Sequence, residues 1–313
     1  MTTQRVTTEP EAAAVAANGA ATPGLAGPAS DLIRVHVLEP GMSRNLRAIK
    51  IVWQRELIRF ITDRPRLLSS LLQPLLWLFV LGTGLSSALG ARAGAGGIDL
   101  RTFMFPGILA MTVLFTAVFS SGSIVFDREF GFLREMLVAP VSRSAIVLGK
   151  CLGGATVATL QGIVILALAG FVHVPYSPGL ILTLIAEMLL LAFTLTAFGV
   201  MAAARIKSFQ GFMALIQMFL MPMFFLSGAL YPLSNLPGWL LAITHVNPLT
   251  YAVDPMRHAI FSRLDVTGPA LSTLSPGVLW GSWLVPPWLE LTVVAAMGLV
   301  MLAIGIVQFR RAE

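Results

Sequence analysis

The sequence predicts an all-α membrane protein with six transmembrane helices, on the strength of three observations. Hydrophobic residues make up 56% of the chain against 12% charged, and the mean hydropathy is +0.83. A chain that apolar cannot present a wetted exterior, so lipid must be its solvent. Six stretches approach or exceed the ~20 apolar residues that a bilayer requires. Of the 21 Lys and Arg residues, all but Arg92, Arg101, Arg257 and Arg263 fall on one side of the resulting topology.

The six spans are read as 67–85, 103–126, 145–171, 179–203, 209–231 and 287–309. The cationic excess, from Arg44 through Lys150 and Lys207 to Arg311, lies in the N-terminal segment, in alternate loops and at the C-terminus. The positive-inside rule then places both termini in the cytoplasm. Residues 1–42 are rich in Ala, Pro, Gly and Thr, too poor in apolar groups to pack, and are expected to be a disordered cytoplasmic tail. They carry no apolar run of the signal-peptide kind. Residues 43–313 form the membrane domain.

Ahead of the first span, Leu46, Ile49, Trp53, Leu57 and Phe60 recur at spacings of three and four, with Arg55, Arg59 and Thr62 opposite. This pattern predicts an amphipathic helix lying in the inner interface, its cations toward headgroups. The loop between the fifth and sixth spans holds two apolar stretches too short to cross, 239–246 and 249–261, which read as short re-entrant or outer helices.

The +6 net charge does not indicate nucleic acid, because the cations cluster at span ends rather than on one face. The single cysteine, Cys151, can support neither a disulfide nor a metal framework. No G-x-x-x-x-G-K-[ST] phosphate loop occurs, so the chain itself is not expected to hydrolyse ATP.

The most informative segment joins the second and third spans: Asp127-Arg128-Glu129-Phe130-Gly131-Phe132-Leu133-Arg134-Glu135, continuing to Pro140-Val141-Ser142-Arg143. Charges interleaved with apolar groups, stopped by Pro140, read either as a short amphipathic helix that docks in a partner's groove or as an ordinary turn. Together with Gly149-Lys150 this run resembles the signature of type-2 ABC export permeases. A second set agrees: Phe225-Leu226-Ser227-Gly228, Tyr231-Pro232, Asn247-Pro248-Leu249-Thr250-Tyr251 and Arg257. Phe105-Pro106-Gly107-Ile108 resembles the daunorubicin- and multidrug-resistance branch.

The resemblance, over about residues 43–311, implies one half of a transmembrane dimer working with a separate ATPase subunit that binds ATP and magnesium. It implies a coupling helix seated on that ATPase, carried here by Glu129, Gly131, Leu133, Arg134, Glu135 and Pro140. Many relatives have an acid three residues after the glycine; here Arg134 stands there and the acid is Glu135. The function implied is outward movement of hydrophobic or amphipathic solutes (drug, polyketide or lipid) across a bacterial inner membrane.

Within the spans, Glu187 reads either as a contact for a cationic substrate or as a structural acid. The fifth span carries Gln217, Met218, Met221 and Phe225, whose adaptable side chains suit a substrate path and suit lipid contact equally. Two other functions remain open on sequence: a proton-driven transporter using Glu187, or a lipid-modifying enzyme built on Asp254, His258 and Asp265.

Overall fold

In the computed structural model the chain divides into two units, residues 1–38 and 39–313. The structure describes residues 41–84, 100–132, 141–231, 233, 237–264, 277–281 and 283–311. The expected tail, apart from its last two residues, lies outside the described residues, as do Leu133, Arg134, Glu135, Pro140 and Asp265.

Helix α1 (Met42–Thr62) ends at Asp63, and α2 (Arg64–Leu75) begins with Pro65 in its first turn, where no intrahelical donor is needed. Pro74 has no N–H for the preceding turn, and Leu76–Leu81 continue as a wider π turn, carrying the first span to Gly84. The second span is α3 (Leu100–Ser121) followed by α4 (Ser123–Glu129). Then come α5 (Arg143–Leu166), α6 (Pro178–Ala203) and α7 (Phe209–Phe225). Two short helices follow, α8 (Gly238–Thr244) and α9 (Thr250–Phe261), with a two-residue hairpin pairing β1 (Leu279–Trp280) to β2 (Trp283–Leu284), and finally α10 (Pro287–Arg311).

Three of the long helices start on serine caps. Ser142, Ser177 and Ser208 each accept a hydrogen bond from a backbone N–H three residues on, satisfying a donor that lipid could not. The Ser142-Arg143 pair of the sequence signature is one such start.

Among the described residues five helices are long and apolar enough to cross a membrane, and α7, at 17 residues, is a shorter sixth apolar helix. It stops at Phe225, short of the expected Tyr231. Pro222 sits in its last turn, and Gly228 then turns the chain through a positive φ of 73°. The carbonyls freed there are taken up by the short helices beyond. Asn247 Nδ2 donates to Met223 O (2.7 Å), Thr250 Oγ1 to Leu226 O (3.3 Å), and Arg257 Nη2 to Gly228 O (2.6 Å). The second sequence signature is thus a cap on α7, built from residues about 24 to 29 positions away.

The core is the α3 helix, enclosed by α5, α6 and α9. Gly107 permits its closest approach: a Cβ there would meet the Ala229 backbone oxygen at 2.5 Å. That contact explains Phe105-Pro106-Gly107 as packing. On α10, Val294, Gly298, Leu302 and Gly305 form the buried stripe, while Leu299, Val300, Ile304 and Val307 face outward, apolar on apolar, as lipid requires. Exposed Trp239, Trp280, Trp283 and Trp288 cluster at the α8–α9 end, where amphipathic rings suit the interface.

Candidate functional site

At the end of the bundle that carries α1, three consecutive charges close the second span, and each holds a different part of the fold. Asp127 is 1% exposed and accepts from Lys150 Nζ of α5 (2.6 Å) and from Arg55 Nη2 of α1 (3.0 Å). Arg128 Nη1 donates to the carbonyls of Ala203 (3.2 Å) and Ile206 (2.9 Å), where α6 ends and cations are favoured. Glu129 Oε2 accepts from the Phe209 N–H (2.9 Å), at the first turn of α7, where an acid is favoured. Lys150 completes the junction by donating to Glu56 Oε1 of α1 (2.5 Å) and to Ser123 Oγ (3.0 Å).

Lys150, Glu56 and Asp127 are all nearly sealed from solvent. Burying them singly would cost several kcal/mol each, so each is viable only because the others are there. The backbone geometry that brings them together rests on Gly149 and Gly153. A Cβ on Gly149 would meet Val52 Cβ at 2.8 Å and one on Gly153 would meet Glu56 Cβ at 2.7 Å, so α1 lies directly on α5. Trp53 Nε1 donates to Thr156 Oγ1 (3.0 Å), and Asn45 Oδ1 accepts from the Ser142 N–H (3.1 Å), extending the seam in both directions.

Packing on α5 adds a second role to α1, which the sequence predicts as an amphipathic helix in the interface with its cations toward headgroups. Its packed face runs through Val52 and Glu56, Arg55 is spent on Asp127, and Leu46 is exposed. The signal missed in the sequence was Glu56, an acid within the packed face, together with Lys150 near the start of the third span; a buried acid and a buried cation imply each other.

Of the six expected coupling residues, Glu129 and Gly131 are described. Glu129 is exposed apart from its bond to α7. Gly131 has φ +82° with open space around a would-be Cβ, so the residue is needed for its backbone conformation, ending α4 as a C′ glycine.

The expected path residues do not form one site. Gln217, Met218 and Phe225 face outward from α7 and Met221 is half-buried, whereas Glu187 is buried within α6. Glu290 is wholly buried. It adjoins Asp254 and the Val278 backbone. Asp254, in the short helix α9, has its carboxyl held above the usual aspartate range, by burial first, against the opposing pull of Arg257. Arg257 also stacks over Phe103, 4.5 Å from the ring centroid. With Asp254 committed to Glu290 and Arg257, and His258 exposed, the described residues form no lipid-modifying centre there. Among the described residues there is also no group of three His, Cys, Asp or Glu placed to hold a metal.

Residues 47–261 match the family described as ABC-2 type transporter. The chain is 34% identical over 194 residues to a putative transport permease, ycf38, of Cyanophora paradoxa, covering 61% of this chain and 66% of that one. It is 30% identical over 159 residues to the probable multidrug ABC transporter permease YbhR of Escherichia coli (strain K12), covering 50% and 43%. It is 27% identical over 234 residues to the inner membrane transport permease YadH of the same organism, covering 74% and 88%.

Proposed function

The chain belongs to the ABC-2 type transporter family and is a membrane transport permease, and from that premise we propose that it is the membrane-spanning subunit of an ATP-driven exporter, coupled to a separate ATPase through the segment that follows Glu129. The observation that carries the proposal is the junction of Asp127, Arg128 and Glu129. Because these neighbours bind α5 and α1, the end of α6, and the start of α7 respectively, a displacement of the segment beyond them is delivered to four helices at once. That is what a lever between a nucleotide-driven partner and a bundle must do.

On this reading the α1 end is cytoplasmic, the membrane is a bacterial inner membrane, and ATP with its magnesium binds on the partner. A second copy of the permease completes the path, meeting the outward face of α7. The cargo is hydrophobic or amphipathic, in keeping with the name of the multidrug relative.

The test is reconstitution of the permease with its ATPase in proteoliposomes. Replacing Glu129 by Ala, or Gly131 by Val, should abolish permease-stimulated ATP hydrolysis and transport while leaving insertion intact. Variants that still stimulate hydrolysis and still export would overturn the coupling assignment. A second reading, proton-driven transport, draws on Glu187, which is buried with Oε2 unpartnered among the described residues. Transport that persists with ATP depleted and the proton gradient kept would decide for it.

A further inference from the structure

The junction at the α1 end is electrically balanced, with Arg55 and Lys150 against Asp127 and Glu56. Arg59, one turn along α1 from Glu56, adds a charge outside that balanced set. Among the described residues it makes no side-chain ion pair or hydrogen bond, and its guanidinium lies 5.0 Å from the ring centroid of Phe126. It lines a groove between α1, α2, α3 and α5 that encloses about 100 Å³ and is partly open to the outside. Met111, Phe115 and Phe119 form its apolar wall.

The far end of the groove holds an unmet acceptor. Gln161, 1% exposed, donates from Nε2 to Ser70 Oγ (2.5 Å), and the Ser70 hydroxyl donates to Leu67 O (2.9 Å). With its own proton given to Leu67, Ser70 can only accept from the amide, which fixes the amide's orientation. Gln161, which lines the groove, has its Oε1 buried without a donor among the described residues. Gln161 lies eleven residues beyond Lys150 along α5, about 16 Å at the rise of a helix.

We propose that this partly open groove binds an anionic amphiphile: its carboxylate, sulfate or phosphate sits on Arg59, its apolar body lies along Phe115 and Phe119, and a hydroxyl or amide N–H of its other end donates to Gln161 Oε1. A guanidinium without a carboxylate, backed by an aromatic ring, is matched by an acid through charge-assisted hydrogen bonds. The inference rests on the export reading, to which it adds the charge class of the cargo and its point of entry beside α1.

The experiment uses the full-length chain in phosphatidylcholine nanodiscs with 11-(dansylamino)undecanoic acid, whose carboxylate and sulfonamide N–H are separated by an apolar chain. Its methyl ester is the uncharged control. The acid should bind saturably and the ester about tenfold more weakly or worse. Arg59→Gln should weaken the acid about tenfold without changing the ester, and Arg59→Lys should fall between. Gln161→Leu should weaken acid and ester alike. Equal binding of acid and ester, or an unchanged Arg59→Gln, overturns the proposal. So does displacement of the probe by phosphatidylglycerol placed in the nanodisc, which would make the groove a bilayer-lipid site. The export reading fails separately: with the ATPase present, absence of ATP-dependent transport of any amphiphile would sink it while leaving this binding pattern standing.

Discussion

Replacing Lys150 with Met tests the buried junction most directly. Methionine keeps much of the aliphatic stem and removes the charge. Asp127, 1% exposed, would retain Arg55, but that side chain is 43% exposed and its pairing is screened to at most about 1 kcal/mol. Glu56 would retain only the Ser123 hydroxyl at 3.3 Å. Breaking a buried pair by deleting one member costs roughly 3–5 kcal/mol, because the survivor stays buried and uncompensated. Cys151, the next residue and the chain's one cysteine, is fully buried and makes a native reporter. Maleimide labelling in detergent should follow the opening that exposes it, and a loss of 3 kcal/mol corresponds to about a 100-fold rise in the open population. Adding Glu56→Gln to the Lys150→Met variant should recover a large part of the loss, since it removes the orphaned charge. The reasoning is wrong if Lys150→Met labels within threefold of the parent, or if Glu56→Gln deepens the defect instead of relieving it.

Other outcomes follow from the same geometry. Gly107→Ala forces a methyl group onto the Ala229 backbone, and overpacking there should cost about 1–3 kcal/mol in thermal unfolding; Gly84→Ala, with open space around it, should be close to neutral. Asn247→Ala strips Met223 O of its donor and should cost about 1–3 kcal/mol, visible as faster hydrogen exchange in the last turn of α7. The outer cap should be pH-sensitive through Asp254, which faces Arg257, His258 and Glu290. Its folded-state pKa is raised, so the folded protein holds a proton that the unfolded chain releases; stability is full below about pH 4, the ordinary aspartate range, and falls as pH rises through the raised value. Trp280, whose Nε1 donates to the Tyr251 hydroxyl, sits in that cap. Unfolding followed by tryptophan fluorescence across pH should show the decline, and Asp254→Asn should flatten it; an unchanged slope in that variant would remove Asp254 as the cause.

Much of the candidate site was present in the sequence as unexplained residues. Gly131, Ser142, Gly149, Asn247 and Arg257 stood out by their order along the chain, and each proves to serve the backbone: a positive φ, a helix cap, a close approach, or a carbonyl satisfied where water is absent. A bilayer makes such positions conspicuous, because an unmet backbone group costs more there than in water.

The sequence by itself determined where the apolar stretches fall and the position of the cationic ends. These depend on which solvent each stretch meets, a local property. It could not determine which charges meet. Lys150 finds Glu56 across 94 positions and Asp127 across 23, and a periodicity that sorts faces by polarity says nothing about which faces touch. Only the packing of α1 on α5, through two glycines, turned three costly buried charges into one stable junction and left Arg59 over.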